Sequence, residues 1–369
     1  MSKVGETTLI LDLAALEHNY SYLRSKIKAE TKFLGVVKAF AYGSDMVTIA
    51  TELEQLGADY LAVAYVSEGV LLRKAGIQLP ILVLHPLASN FDDLMAYQLE
   101  PSLYSRNILN QFIEAAKAKK QTGYPVHIKF NTGLNRLGFA EDDVDFVVEE
   151  SKHSECIKIV SCFSHLAASE DKNERNFSLN QINFFKHLSD MLMDKLGYLL
   201  MRHMLNTSGI INYPEAQFEM VRSGIGLYGY ANQAEVDAEL RPIATLKTII
   251  SQIHHIDANE SVGYNRAFTS NQPVKSATLP IGHADGIGRQ YGKGKGYVTI
   301  KNKKAPILGN VCMDMIMVDV TEIDCKEGDE AIVFGSGKSA EKFAATASTI
   351  SYEILTAISQ RVKRVVINK

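Results

Sequence analysis

Apolar residues along this chain follow two alternating rhythms. Short aliphatic and β-branched runs read as strands: KFLGVVK (32–38), YLAVAY (60–65), PILVLH (80–85), EPSLYS (100–105), VHIKFN (126–131), IKIVSCFS (157–164), RHMLN (202–206) and MVRSG (220–224). Between them, segments such as MVTIATELEQLG (46–57), VSEGVLLRKAG (66–76) and SLNQINFFKHLSDMLMDKL (178–196) place apolar residues three and four apart and predict helices. Several end at Gly, a common helix stop. Eight such strands alternating with helices predict a (β/α)8 barrel of the TIM type, with a doubly wound sheet as the competitor.

The rhythm changes after Tyr230. ANQAEVDAELRP (231–242) is polar and turn-rich and reads as a linker. Beyond it, strand-like stretches (IATLKTIISQIHHI, VKSATLPIG, KGYVTIKN, APILGNVCMDMIMVDV, DEAIVFGSG) are joined by short glycine-bearing connections, the pattern of an antiparallel β domain. One helix is predicted over 342–359, before the final RVKRVVIN. The expected architecture is therefore α/β: a barrel over 1–238 followed by a smaller, mainly β domain over 239–369. The first strand, at about 7–12, is expected to pack with the second domain.

Composition narrows the function classes. A chain of 369 residues suits two domains, and 46% hydrophobic with 22% charged residues is the make-up of a soluble globular protein. A formal net charge of -3 exerts no global pull on nucleic acid or anionic lipid. No run approaches the ~20 apolar residues of a membrane span, and the apolar stretch in MSKVGETTLILDL is too short for a signal-peptide core. Cys156, Cys162, Cys312 and Cys325 show no C-x-x-C pairing and no histidines at zinc spacing, so no metal and a reduced, cytoplasmic setting are expected. Two phosphate-loop decoys fail. FGSGKS (334–339) has Ile332 where a Walker loop needs glycine, and GKGKG (292–296) precedes no helix.

In such a barrel, reactive groups gather where strands end and βα loops begin. Those positions hold Lys38 before AFAYG; Lys129, Asn131 and Arg136; His165; Asn206, Thr207 and Ser208; and Arg222 before Ser223 and Gly224. A lysine after the apolar GVV would be partly desolvated, which favours its neutral amine as a Schiff-base nucleophile; the plainer alternative is a snorkelling surface lysine. Asn206-Thr-Ser, Ser223-Gly-Ile-Gly and Tyr352 offer hydroxyls and glycine-exposed N–H groups, the first two where barrels often hold phosphate. Ordinary turn residues are the alternative there.

VVKAFAYGSD (36–45) resembles the cofactor-lysine segment of bacterial alanine racemases. Similar matches follow in HIKFNTGLNRLGF (127–139), SHLAASED (164–171), NTSGI (206–210), MVRSGIGLYGY (220–230), VGYNRAF (262–268), LPIGHADGIGR (279–289), GNVCMDMIMVDVT (309–321) and SYEILTAISQRVKR (351–364). The resemblance runs in the family's order over essentially the whole chain. It implies a fold-type III enzyme that uses pyridoxal 5'-phosphate, works as a homodimer with shared active sites, and interconverts L- and D-alanine by two-base proton transfer, supplying D-alanine for peptidoglycan. By motif, Lys38 would bind the cofactor covalently and act as one base. Tyr264, from the partner subunit, would be the other. Tyr42, Asn206, Thr207, Ser208, Gly224, Ile225 and Tyr352 would lie at or beside the phosphate. Arg222 would face the pyridine nitrogen, His165 would lie beneath the ring, and Arg136 would contact the cofactor's phenolate oxygen. Arg136, Met313 and Asp314 would line the substrate side. Lys129 matches a lysine that many members carry as a carbamate; the alternative is an unmodified lysine paired with a carboxylate.

The implied chemistry is coherent. Both lysine and tyrosine titrate near 10, so each needs its surroundings to favour the basic form; for Tyr264, positive charge from His165 and Arg222 is the expected source. Against the family pattern, Phe40 stands for the usual Asn, Ser44-Asp45 for His-Gly, Asn131 for Asp, Ser223 for Pro and His283 for Tyr. Rival readings are a broad-specificity or serine-preferring racemase on the same scaffold, a basic amino acid decarboxylase, and a non-catalytic binder of the cofactor. The decarboxylase would lack the VGY tyrosine, and such binders are typically a barrel alone.

Overall fold

A computed structural model describes residues 6–231, 233–335 and 339–368. The 334–339 decoy lies partly outside them. After β1 (Thr8–Asp12) and a helix at Leu13–Arg24, eight parallel strands close on themselves: β2 (Lys32–Val36), β3 (Tyr60–Val63), β4 (Ile81–Val83), β5 (Glu100–Leu103), β6 (Tyr124–Lys129), β7 (Ile157–Phe163), β8 (Met201–His203) and β9 (Met220–Ser223). These are the eight strands that periodicity predicted, and the barrel is of the expected class. β9 closes the ring on β2, with Leu34 opposite Arg222.

Every residue of β3 and β4 is buried, as strands wrapped by helices on the outside and by side chains within must be. The surrounding helices are amphipathic. Arg106–Ala118 buries Ile108, Leu109, Phe112, Ile113 and Ala116 at spacings of one, three and four, and its first turn is capped by Ser105, whose Oγ accepts the Ile108 N–H at 3.3 Å. Arg175–Leu196 stops at Gly197 in the left-handed conformation.

Contacts divide the chain into two units: residues 17–41 with 46–240, and residues 1–16 with 42–45 and 241–369. The second unit contains β10 (Ala244–Ile249), β11 (Gln252–Ile256), the short pair β12 (Ser261–Val262) and β13 (Phe268–Thr269), β14 (Val274–Leu279), β15 (Tyr297–Ile300), β16 (Lys303–Leu308), β17 (Ile316–Asp319), β18 (Glu330–Phe334) and β19 (Lys363–Ile367). Nine strands form one sheet in the order β11-β14-β17-β16-β15-β18-β10-β1-β19. β1 lies antiparallel to β10 and parallel to β19. Here burial alternates strictly along β10, β15 and β17, because one face of this sheet is covered and the other is not.

Two local expectations change. The single helix predicted over 342–359 is two, Ala340–Ala345 and Ser351–Ala357. They part at TASTI (346–350), where Thr346 turns its hydroxyl back onto the Phe343 carbonyl at 2.7 Å and Ser348 has φ 56°. Ser and β-branched residues compete with helical hydrogen bonding, and apolar spacing alone does not register that competition. The linker also holds a helical turn, Ala234–Asp237.

Strand β2 ends at Val36, two residues before Lys38. The segment Lys38–Gly43 is helical, yet Ala39, Phe40, Ala41 and Tyr42 have φ of 53–54°. It is a left-handed turn built from L-residues, which costs about 1–2 kcal/mol per residue. Its far end is held by Arg364, whose guanidinium donates to the carbonyls of Gly43 (2.8 Å) and Ser44 (3.1 Å). Gly43 continues the left-handed path at φ 77°, and a Cβ there would stand 1.9 Å from the Leu355 carbonyl oxygen. Gly57 shares the positive φ (86°) but has open space around it. Gly57→Ala is therefore expected to cost about 1–2 kcal/mol in urea unfolding, and Gly43→Ala clearly more, because a backbone carbonyl must also move. Equal losses would show that crowding at Gly43 is relieved for free.

Candidate active site

The barrel's strand ends bring Lys38, Lys129, Arg136, His165 and Arg222 into electrostatic reach of one another. Lys38 is half-buried; burial first, then the Arg136 charge, hold its ammonium below the ordinary lysine value, while Glu68 pulls the other way. Glu68 has a second role. One carboxylate oxygen accepts the N–H of Ala39 at 2.6 Å, and the other accepts those of Ala64 (2.7 Å) and Tyr65 (3.1 Å). It thus ties the residue after Lys38 to the start of the Val66–Lys74 helix.

Lys129 is buried among cations. Burial, then Arg136, Arg222 and Lys38, push it down to about 8, and among the described residues no carboxylate pairs with it. Its ammonium lies 5.8 Å from the centre of the Phe163 ring. Arg222, also buried, donates Nη1 to His203 Nδ1 (2.6 Å) and the His203 carbonyl (3.0 Å). Its Nη2 donates to the carbonyls of Ser164 (2.7 Å) and Met204 (3.1 Å) and to His165 Nδ1 (3.1 Å). Burial pushes the guanidinium down to about 9, which leaves it a cation at neutral pH. With Arg222 donating to its Nδ1, and with burial followed by Arg222, Arg136, Lys129 and Lys38 all disfavouring its charge, His165 is held well below the ordinary histidine value. It is neutral, so the expectation that His165 supplies positive charge is corrected: the cations here are the arginines and lysines.

At the ends of β8 and β9 two short helical turns begin. Asn206 caps Thr207–Asn212, its Oδ1 accepting from Gly209 N–H (2.8 Å) and Ser169 Oγ (2.8 Å). Thr207 Oγ1 pairs with Ser223 Oγ at 3.0 Å and accepts the Gly226 N–H at 3.2 Å, and Ser208 Oγ donates to the Ala231 carbonyl at 3.3 Å. A Cβ on Gly226 would lie 2.4 Å from Thr207 Cγ2, so glycine lets the two turns approach. The first-turn N–H groups of Thr207 and Ser208 have no intrahelical acceptor, and Gly224 opens the second turn at Ile225–Tyr228. Four cations plus such N–H groups form a donor set suited to an anionic ligand. Among the described residues no cluster of three His, Cys, Asp or Glu side chains suits a metal ion.

The other predicted site residues belong to the second unit. Tyr42 and Tyr352 stand with ring centres 5.9 Å apart. Tyr264 is 72% exposed, on a turn where Asn265 and Arg266 have positive φ, and its carbonyl accepts from Asn310 at 3.1 Å. Met313 is exposed, and Asp314 is held by Arg361 at 2.7 Å; that arginine also binds Asp285 at 2.7 Å. Asp285 in turn accepts the Gly282 N–H at 2.8 Å, fixing the loop that carries His283.

Sequence reasoning passed over Glu68, Glu100, His127, Ser161, Phe163 and His203. A signal existed: His127 with Lys129, and Ser161 with Phe163, are two apart on strands and so share a face, and β7 aligns Ser161 with His127 and Phe163 with Lys129.

Residues 11–232 match the family model for the alanine racemase N-terminal domain, and residues 243–366 that for the C-terminal domain. Among curated relatives, alanine racemase 1 of Clostridium acetobutylicum is 38% identical over 97% of this chain and 94% of its own length; the alanine racemase of Halothermothrix orenii is 35% identical over 97% and 96%. Among solved structures, alanine racemase of Clostridium difficile 630 superposes with a TM-score of 0.92 at 34% identity, covering 99% of this chain and 96% of that one. The Bacillus anthracis alanine racemase with bound L-Ala-P does so at 0.90 and 27%, covering 99% and 95%.

Because Glu68 raises the Lys38 value and Arg136 lowers it, their neutral variants are expected to act oppositely. In Glu68→Gln the free-amine fraction of Lys38 at neutral pH rises, and its acetylation, followed by peptide mass spectrometry, should speed roughly twofold to fivefold; in Arg136→Gln it should slow by a similar factor. A shift of both in one direction would contradict the charge assignment.

Proposed function

This chain belongs to the alanine racemase family and interconverts L- and D-alanine; from that premise we propose that it does so with pyridoxal 5'-phosphate, held through Lys38, and with Lys38 and Tyr264 as its two acid/base groups. The observation that carries this reading is the cationic cluster itself: a half-buried lysine biased toward its free amine, beside three further cations and the N–H-bearing turns after β8 and β9. When bound, the cofactor would supply the electron sink that makes a Cα–H acidic enough to remove. The residues present fit such a group. The turns at Asn206, Thr207, Ser208, Gly224 and Ile225 are suited to a phosphate, a role that the motif match also gives to Tyr42 and Tyr352. Arg222, locked by five acceptors and still charged, is suited to face a ring nitrogen without giving up a proton to it. Neutral His165 is suited to pack beneath the ring.

Lys38 Nζ then removes or returns the α-proton on one face and the Tyr264 hydroxyl does so on the other. The exposure of Tyr264 on a strained turn supports its delivery into a partner subunit's site within a homodimer. Arg136, with Met313 and Asp314, binds and orients the substrate. Lys129 is carbamylated. Its value near 8 keeps a useful fraction of nucleophilic free amine, and a carbamate anion would relieve the repulsion with Arg136 and pair with it; the missing carboxylate partner weighs against the unmodified alternative. The four unpaired thiols suit a reducing, cytoplasmic setting, and the D-alanine formed would serve peptidoglycan.

Circular dichroism of L-alanine over time checks the racemisation directly. Lys38→Ala is expected to lose covalent cofactor and activity together. Tyr264→Phe should slow exchange of the α-hydrogen of L-alanine for deuterium by about 10²-fold or more, and that of D-alanine far less; equal slowing would remove Tyr264 from its face. For Lys129, ¹³C NMR under ¹³CO₂ should show a carbamate signal absent in Lys129→Ala. At fixed dissolved CO₂ its occupancy should grow as pH rises through about 8, since only the free amine attacks. No such signal would mean an unmodified lysine.

A further inference from the structure

Arg222 is one end of a hydrogen-bonded chain that crosses five adjacent barrel strands. From β9 it runs Arg222 Nη1 to His203 Nδ1 (2.6 Å), then His203 Nε2 to Ser161 Oγ (3.2 Å), Ser161 Oγ to His127 Nδ1 (2.5 Å) and His127 Nε2 to Glu100 Oε2 (2.6 Å). The three middle members are completely buried, and the Glu100 side chain is 13% exposed.

The end groups set the direction of every link. A guanidinium only donates, so His203 Nδ1 must accept and its proton sits on Nε2. That N–H donates to Ser161 Oγ, and the one serine hydrogen is left for His127 Nδ1. The His127 proton therefore sits on Nε2 and points at Glu100, which as a carboxylate only accepts. Each donor is used once along the chain, all four links point the same way, and His203 is neutral. Burial, then Arg222 and His127, hold His203 well below the ordinary histidine value, in agreement. Glu100 is further engaged by the Tyr60 hydroxyl and lies within Coulombic reach of Arg73 and Tyr124.

We propose that Glu100 is the remote counter-charge of Arg222, joined to it through His203, Ser161 and His127, and that it is a positioning residue: the aligned relay holds the guanidinium's orientation and charge at the barrel mouth from the opposite end of the barrel. A buried cation with no adjacent carboxylate is otherwise costly, and neutral links aligned between unlike charges polarise one another and offset that cost. The relay stands on the hydrogen-bond geometry; its consequence for turnover rests on the function proposed above.

The test uses the full chain with ¹⁵N-labelled histidine, as purified, with His127→Gln and His203→Gln to assign signals. His203 is expected in the Nε2–H tautomer and unresponsive to pH across the range where an ordinary histidine titrates, and His127 is expected to carry on Nε2 the proton that faces Glu100. In Glu100→Gln, whose amide oxygen still accepts from His127, the His203 ring signals should shift although three links intervene. The kcat of racemisation should fall about tenfold or more with KM little changed. His203 protonated on Nδ1, or signals and kcat unmoved by Glu100→Gln, would overturn the relay even in an active racemase. An inactive wild-type protein would instead overturn the proposed function and leave the tautomer result standing, and the wild-type tautomers decide the matter if Glu100→Gln does not fold.

Discussion

Lys38, Lys129, Arg136 and Arg222 repel one another at one end of a closed barrel, and much of the surrounding structure is organised around that repulsion. Charges of one sign held close together, two of them (Lys129 and Arg222) buried, are sustained by altered protonation, by fixed dipoles, or by counter-charge. All three responses are present. The lysines shift toward free amines. Arg222 is wrapped in three backbone carbonyls and two imidazole nitrogens. Glu68 acts on Lys38 by its charge and on the following turn through the Ala39 N–H, while Glu100 stands off at a remove, linked through side chains. What remains uncompensated is what an anionic ligand would satisfy, and this ties the electrostatics of the barrel to its chemistry.

Placing the reactive lysine is a separate problem. A lysine at the tip of a strand is free to snorkel into water unless the chain after it is fixed. Here the chain passes through four consecutive left-handed L-residues. Such strain persists only where neighbouring contacts over-determine it. Glu68 grips the turn at Ala39, and Arg364 grips it at Gly43 and Ser44. The departure from the family pattern at Phe40 falls in this turn, where the side chain is half exposed. In the second unit, Arg361 plays a comparable part by bridging Asp285 and Asp314, so that the His283 loop and the Met313 loop are held from one side chain.

The two units also express burial differently. Barrel strands are covered on both sides and read as largely apolar runs, so a charged residue inside one, such as Lys129 or Arg222, stands out against its neighbours. The strands of the nine-stranded sheet alternate, and a polar residue there is ordinary. Hence the barrel's chemistry was the easier to read from the chain alone, while the surroundings of Tyr264, Met313 and Asp314 were recognised only through the resemblance of whole motifs.

Periodicity by itself picked out the eight strands, narrowed the fold to a (β/α)8 barrel or a doubly wound sheet, and marked the change of pattern after Tyr230 and the lysines and arginines near strand ends, because side-chain spacing reports on local geometry within a few residues. It misjudged the helix at 342–359, where a local competition for hydrogen bonds overrode apolar spacing. Only the tertiary structure decided that His165 is neutral, that the turn after Lys38 is left-handed, and that Glu100 connects to Arg222. Each depends on groups brought together by barrel closure and strand register from far along the chain, where burial and Coulombic interactions set protonation, and no window of sequence contains both partners.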